Sequence, residues 1–379
     1  MRLVIDGQRL TAGRTGVGRC LEGLLAEWAE TGWPLEETVL VVRDPGGLAR
    51  VPGSPGLTTR LVGERWPGLV WETFGLGRVL RKNDLLFAPA NLVPWTWRGP
   101  TVAVLYDTLP WSVPQSFPWH VRLRFGWRYR MAARRANRVV VPSLSSARDV
   151  VRVHGLPPDR LTLAYPGPEP RFRPLDAGAP EVFAARRAVR FDKSLFFLFV
   201  GKRSARRNVP VVLEAFARHR LRFPDHLLVF VGPGGGTPLP ESGSGVVDLG
   251  HVTEDVLHGL FALAAALLYP SDHEGFGLPV VEALASGCPV VTLRNSALIE
   301  SAGDAAWYLD AARPDDLERA LDVLGSEPAR RAELRRRGLS HVGRFSRADF
   351  ADKIKAVIRA VAGESDQSAE LSRRESARV

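Results

Sequence analysis

The chain has 379 residues, a net charge of +10 and an apolar fraction of 45%, enough for two cores of ordinary size. Its two cysteines, Cys20 and Cys288, exclude a disulfide framework and any CxxC metal spacing, and they fit a reducing, cytoplasmic compartment. A sequence pI near 10.2 favours anionic partners, whether phosphorylated small molecules, anionic lipid or nucleic acid, without choosing among them.

MRLVIDGQRL reads as an opening strand over Leu3 to Ile5 and not as a signal peptide, because an aspartate interrupts a short apolar run. GRTGVGRCLEGLLAEWAE then turns through glycines into a helix. TVLVV, LLFAP, TVAVLYD and RVVVPS are further short Val- and Leu-rich runs. Such runs, with helices between them, predict a parallel sheet covered on both faces. Pro, Gly and Asp break the periodicity in FRPLDAGAP, which places a domain join near residues 172–180.

The pattern then restarts. LFFLFVG, HLLVFVG, ALLYPS and PVVTL read as strands; VPVVLEAFARHRLRF, VLHGLFALAAA and LPVVEALASG read as helices. Three helical segments follow, DDLERALDVLGS, PARRAELRRRGLSHVGRF and SRADFADKIKAVIRAVAG. The expected organisation is a first α/β domain over 1–175, a second over 176–345, a C-terminal helix over 346–362 and a polar, disordered tail over 363–379. No stretch reaches the ~18 apolar residues of a membrane span.

Ligands of open α/β sheets bind beyond the carboxyl ends of the strands, so loops that follow strands carry the candidates. SDHEGFGLPVVEALASGCPVV, from Ser271 to Val291, follows ALLYPS. Pro279 suits the first turn of a helix. The amides of Gly275, Phe276, Gly277 and Leu278 then gather at its positive end, a place for phosphate or sugar hydroxyls. Glu274 stands at the mouth, and Glu282, one turn inside, suits a vicinal diol such as a ribose. Either glutamate alone reads equally as a surface residue; the GFG turn, the proline and both glutamates together do not. FVGKRSARRN, from Phe199 to Asn208, puts Lys202, Arg206 and Arg207 after another strand, where guanidinium forks match phosphate oxygens. Read alone, it is equally a solvated basic loop.

Gly16-Val17-Gly18 is half of a dinucleotide fingerprint and points weakly to a nicotinamide-dependent oxidoreductase. HVRLRFGWRYRMAARRANRV carries arginines from Arg122 to Arg138 with Phe125, Trp127 and Met131 interleaved. That pattern suits an anionic membrane surface as well as a solvated helix packed by its aromatics. No nucleic-acid-binding motif occurs, and no nucleic acid partner is expected.

The stretch from Glu274 to Val291 resembles, almost letter for letter, the donor-site signature EGFGLPxxEAxAxGxPVV of glycosyltransferase family 4, retaining enzymes of GT-B fold. FVGKRSARRN resembles the family's VGxxxxRKN, with Arg207 in place of Lys and Lys202 nearby as a substitute. IDGQRLTAGRTGVGRC resembles IDxRxLxxxxTGIGRY. TVAVLYDTLPW resembles TVVTIHDLxxL, with Tyr106 replacing the His and Asp107 kept. The resemblance covers about residues 1–360 and is most specific in the last third of that span.

The resemblance implies two Rossmann-like, doubly wound domains facing across a cleft, with C-terminal helices partly returning to the first. It implies transfer of a sugar from a GDP- or UDP-linked donor to a glycan or lipid-linked acceptor hydroxyl, with retention. The TGVGR loop is similar to that of bacterial mannosyltransferases of polysaccharide assembly, so mannose is the expected sugar. Carried over residue by residue, Glu274, Tyr106 and Asp107 belong to the reacting sugar. Gly16 belongs near the donor phosphate and the acceptor, Lys202, Arg206, Arg207, Gly275, Phe276, Gly277 and Leu278 to the phosphates and sugar, Glu282 to the ribose and Val252 to the base. No metal or other cofactor is expected: Asp272-x-Glu274 faintly resembles the Asp-x-Asp of metal-dependent transferases, but the GFGLP context argues against it. Because Tyr is a poor proton carrier near neutral pH, Tyr106 also raises the alternative of a catalytically silent nucleotide-sugar-binding protein. The implied site of action is cytoplasmic, peripheral to the inner face of the membrane.

Overall fold

The computed structural model describes residues 1–64, 66, 70–190, 194–241 and 243–376. The chain divides into two units, Met1–Gly167 with Ser346–Val379, and Pro168–Phe345. The first unit begins with β1 (Arg2–Asp6), α1 (Gly16–Thr31), β2 (Thr38–Val42), β3 (Leu57–Leu61), β4 (Asp84–Ala88) and β5 (Thr101–Val104). It continues through α2 (Trp119–Arg135), β6 (Arg138–Val141), α3 (Leu144–His154) and β7 (Leu161–Leu163). All its strand pairings are parallel, in the order β3-β2-β1-β4-β5-β6-β7.

The second unit runs α4 (Pro180–Val189), β8 (Phe196–Val200), α5 (Val209–Arg220), β9 (Leu227–Val231), β10 (Val246–Asp248) and α6 (Glu254–Leu263). There follow β11 (Ala266–Tyr269), α7 (Leu278–Ala285), β12 (Val290–Leu293), β13 (Ala306–Leu309), α8 (Pro314–Ser326) and α9 (Pro328–Val342). Its parallel order, β10-β9-β8-β11-β12-β13, is that of a doubly wound nucleotide-binding sheet. The order reverses between β8 and β11, so a crevice opens at their carboxyl ends.

Burial explains which strands the pattern revealed. β8 reads FFLFV and is buried throughout; core clusters lie on both of its faces, Phe196 and Leu198 in one, Phe197 and Phe199 in the other. Four strands without such runs, β3, β7, β10 and β13, are the edges of the two sheets. They are half-exposed, so LTTRL and LTL need not be continuously apolar.

The last helix, α10 (Arg347–Ser376), belongs to the first unit. Phe350, Ile354, Ile358 and Val361 join the core made by β1 and α1. The indole of Trp28 donates to the Ala351 carbonyl at 3.1 Å, and Lys355 Nζ donates to Thr31 Oγ1 at 2.9 Å. Gly23 has no room for a β-carbon, which would lie 2.1 Å from the Arg347 guanidinium. Two boundaries differ from expectation. The units join between Gly167 and Pro168, ahead of residue 175. The helix also continues to Ser376 through the expected tail, where Ala, Glu, Gln and Arg are good helix formers.

Asp6 closes β1 and is 2% exposed. Burial raises its carboxyl to about 6, against a hydrogen bond from the Gln8 amide and the charge of Arg9. A carboxyl raised in the folded state contributes stability below its unfolded value, and that contribution is lost as pH rises through about 6. Asp6→Asn keeps an acceptor for Gln8 and removes the titration. Chemical unfolding should show the variant gaining on the parent by about 1 kcal/mol between pH 5 and pH 8. A stability difference that is flat across this range would mean that Asp6 does not titrate there.

Candidate functional site

In the second unit, the loops after β8 and β11 meet at the reversal of strand order. Gly201 follows β8 directly and has a φ of +123°, which an L side chain rarely adopts; a β-carbon there would lie 1.6 Å from Arg207 Nη1. Glycine thus lets the Arg207 side chain fold back over the strand end. A short turn, Ala205–Arg207, leads to Asn208, also left-handed at φ +52°, ahead of α5. The Asn208 amide donates to the Pro270 carbonyl at 2.9 Å and to Asp272 Oδ1 at 2.6 Å. The Asp272 amide returns a bond to the Arg206 carbonyl at 2.9 Å.

This stitching assembles a charged cluster. Arg206 Nη1 lies 2.7 Å from Glu274 Oε1, and Arg207 Nε 3.5 Å from the same oxygen. The Ser271 hydroxyl also donates to that oxygen, at 2.9 Å. All three charged side chains are 12–14% exposed. Burial pushes the Glu274 carboxyl up, but the two guanidiniums outweigh it and hold the group below its ordinary range. Arg207 also donates to the Tyr269 hydroxyl at 3.1 Å and lies over its ring. Arg206 donates to the His273 carbonyl. The Glu274 amide is anchored on Ser296 Oγ at 3.0 Å, and Asn295 donates to the Ser271 carbonyl at 3.1 Å.

Gly275, Phe276 and Gly277 are buried, and Leu278 and Pro279 half-buried. Gly277 caps α7 in the left-handed region, at φ +96°. Glu282 is 0% exposed, enclosed within α7. Lys202 is exposed on the loop that carries the arginines, and Val252 is half-buried against the core of the unit. The structure therefore gathers Arg206, Arg207 and Glu274 into direct contact. Sequence reasoning passed over the residues that hold them: Tyr269, Ser271, Asn208, Asn295 and Ser296. Asn208 was the legible one, since it stands inside the RRN run.

In the first unit, Tyr106 and Asp107 follow β5. The Tyr106 amide donates to Asn91 Oδ1 at 2.7 Å and its carbonyl accepts from Ser146 Oγ at 2.9 Å. Asn91, left-handed at φ +63°, also donates to the Tyr129 hydroxyl at 3.2 Å. Desolvation, with Cys20 beside it, holds the Tyr106 phenol well above its ordinary value. It is a hydrogen-bond donor throughout the physiological range. Asp107 accepts from the Leu109 amide at 3.1 Å. Gly16 is exposed at the start of α1 with open space around it. Gly18 is the constrained glycine, since a β-carbon would lie 2.5 Å from the Arg9 carbonyl. Packing thus accounts for half of the apparent dinucleotide fingerprint.

The basic segment divides. Arg138 belongs to β6, and Arg135 donates to the Trp95 carbonyl. Arg128 is half-buried, with desolvation lowering its pKa. Along α2, however, Trp119, Leu123 and Trp127 recur every fourth residue and are 71%, 66% and 61% exposed. Arg122, Arg130 and Arg134 on the same helix are exposed as well. Among the described residues, no helix is long and apolar enough to cross a membrane, and no three His, Cys, Asp or Glu side chains are grouped to hold a metal ion. The Asp272 and Glu274 carboxylates are engaged by Asn208 and by the two arginines.

Two family models match: "Glycosyltransferase Family 4" over residues 14–171 and "Glycosyl transferases group 1" over residues 183–341. The serotype-specific mannosyltransferase WbdA of Escherichia coli is 26% identical over 69% of this chain and 33% of its own length. A D-inositol 3-phosphate glycosyltransferase of Rhodococcus opacus (strain B4) is 29% identical over 57% of this chain and 52% of its own. The chain thus spans between a third and about half of these curated relatives. Anabaena Alr3699/HepE, solved with UDP and glucose, shares the fold, with a TM-score of 0.69 and 16% identity over 97% of this chain and 100% of its own.

Glu274→Ala would leave two guanidiniums buried without their counter-ion. Removing one partner of a buried pair costs about 3 kcal/mol. The variant is expected to unfold at lower urea with an unchanged m-value, and inorganic pyrophosphate should restore stability to it more than to the parent. A variant as stable as the parent in phosphate-free buffer would show that the cluster needs no counter-ion.

Proposed function

The chain belongs to the glycosyltransferases of the group 1 and family 4 type, with GT-B fold, and on that premise we propose that it transfers a sugar from a nucleoside-diphosphate donor to a hydroxyl of a glycan or lipid-linked acceptor, with retention. The observation that carries the reading is the pair Arg206 and Arg207 converging on Glu274 at the carboxyl ends of β8 and β11. Mannose is the proposed sugar, supported by the likeness to WbdA. GDP and UDP both remain within the proposal, since a fold relative binds UDP.

The proposed chemistry needs charge stabilisation more than a nucleophile. A departing nucleoside diphosphate gains negative charge as the glycosidic bond breaks. Fixed guanidiniums in a partly dehydrated pocket offset that charge without reorganising. Arg206 and Arg207 are pre-positioned for this by Glu274, Tyr269 and the His273 carbonyl. Glu274 is a poor nucleophile while two cations and a hydroxyl hold its Oε1. We therefore assign it to orienting the sugar, with attack by the acceptor on the face the diphosphate leaves and the phosphate taking the acceptor's proton. Lys202 adds a second-rank cation for the diphosphate, and the amides at Gly277 and Leu278 a helix N-terminus. Glu282 is assigned to the ribose diol, which requires the first turn of α7 to shift, because the carboxylate is fully buried. Val252 is assigned to the base, and Gly16, Tyr106 and Asp107 to the sugar and acceptor. No metal is needed in this scheme.

A second reading, binding without turnover, rests on one observation: the Tyr106 phenol holds its proton. The two readings separate kinetically. Glu274→Ala should lower turnover about a thousandfold, or roughly 4 kcal/mol of transition-state stabilisation, with free nucleoside diphosphate still bound. Glu282→Ala should instead weaken that binding. Tyr106→Phe should cost about 1 kcal/mol if the hydroxyl only donates to a sugar oxygen. Turnover should survive EDTA. Full activity in Glu274→Ala would displace the site. A parent protein that binds donor and never consumes it, with acceptor or with water, would establish the silent reading.

We also propose peripheral binding of α2 to an anionic membrane, which would present a lipid-linked acceptor. Each arginine near an anionic surface contributes about 1 kcal/mol, and the three exposed apolar side chains add insertion. Sedimentation should show binding to phosphatidylglycerol vesicles and not to neutral ones, weakened by salt. Trp119→Ala with Trp127→Ala should reduce it at least tenfold. Equal binding to both vesicle types, or no effect of the tryptophans, would remove α2 as the contact.

A further inference from the structure

The second unit carries another concave site, at the amino ends of its strands. A cavity of about 560 Å³ opens beside Ser194 and Leu195 ahead of β8, Ala264 and Ala265 ahead of β11, and Gly287 and Pro289 ahead of β12. Its volume falls within the range of small-molecule sites, about 300–1,000 Å³. Arg186 of α4 and Arg331 and Arg335 of α9 line it. Glu274, Arg206 and Arg207 follow the carboxyl ends of the same strands, so the two sites lie at opposite edges of one sheet.

Among the described lining residues the charge is one-sided: none of them is Asp or Glu. Among the described residues, none of the three arginines has an ion pair, whereas the neighbouring Arg330 and Arg337 both pair with Glu333. Helix ends account for part of the arrangement: Arg331 donates to the Leu324 carbonyl at 2.6 Å, at the C-terminus of α8. That bond fixes its direction, and among the described residues no carboxylate pairs with its charge. Arg335 lies against Gly287, where φ is +76° and a β-carbon would come 2.8 Å from the guanidinium carbon. Glycine at 287 thus gives the arginine its place beside the cavity. The remaining wall is apolar and small, with Ala262, Leu263, Ala264, Ala265 and Pro289. Three like charges lining one pocket repel one another unless an anion enters, and guanidinium forks suit phosphate.

We propose that this cavity is a second anion site, for a small soluble molecule bearing a phosphate, with Arg186, Arg331 and Arg335 as its ligands. It is separate from the Arg206 and Arg207 cluster and stands whether or not the donor reading holds. The test uses inorganic pyrophosphate and calorimetry on the full chain carrying Arg206→Ala and Arg207→Ala, which removes the first cluster. One binding event should remain. Adding Arg335→Ala and Arg186→Ala should weaken it at least tenfold, while circular dichroism shows an unchanged fold; Arg335→Lys should keep part of it. No binding in the Arg206→Ala, Arg207→Ala protein, or binding indifferent to Arg335, overturns the proposal. Phosphatidylglycerol vesicles form the second arm. Vesicle binding that depends on Arg335, without pyrophosphate binding, would assign the arginines to a lipid headgroup and overturn the soluble ligand.

Discussion

A carboxylate held between two guanidiniums is the constraint on which the second unit's ligand end is built. Glu274 cannot sit among buried atoms as an anion alone, and Arg206 and Arg207 cannot sit there as cations alone. Together with the Ser271 hydroxyl they compensate one another. The surrounding backbone is arranged to make this meeting occur. Gly201 has no side chain because Arg207 occupies that space. Asn208 turns left-handed so that its amide can tie the loop after β8 to the loop after β11. The cluster carries one excess positive charge in a pocket that excludes much of the water. Cations fixed in this way would meet an anion at little reorganisation cost, which is what the proposed function asks of them.

The parts of the fold that sequence made legible are those where burial is two-sided. β1, β2, β4, β5, β6, β8, β9, β11 and β12 are all visible as short apolar runs, because helices cover both faces of a parallel sheet. β3, β7, β10 and β13 were not assigned, because an edge strand with half its surface in water needs no apolar run. The GFG turn and its glutamates were legible through spacing and resemblance together. Their supports were not. Nothing in the local pattern of Ser296 or Tyr269 says that it will touch Glu274 or Arg207, since those contacts span 22 and 62 residues of chain.

Two glycines show the same limit from the other side. Gly16 and Gly18 look alike in sequence, and the ligand role went to Gly16. The structure leaves Gly16 in open space and makes Gly18 obligatory for close approach of the Arg9 carbonyl. A glycine required by packing and one required by a ligand leave the same letter in the chain, and only the surrounding atoms separate them. Glu282 is the converse. Its spacing from Glu274 singles it out, but spacing alone does not show that the carboxylate is enclosed.

Tyr106 connects these arguments to chemistry. Its backbone is fixed at both ends, the amide by Asn91 and the carbonyl by Ser146, so whatever side chain stands there is presented in one direction. A histidine at this place would offer a nitrogen that takes up a proton near neutral pH; the desolvated phenol of Tyr106 keeps its own proton and has little basicity. In the proposed transfer, proton uptake would therefore fall to a group other than Tyr106. Glu274 is a poor candidate, because it is held ionised by its two cations and has its basicity lowered by them; under the transfer proposed above, a departing phosphate would take that part. The proposed transfer would then divide the labour between side chains that position and neutralise and a leaving group that carries the proton.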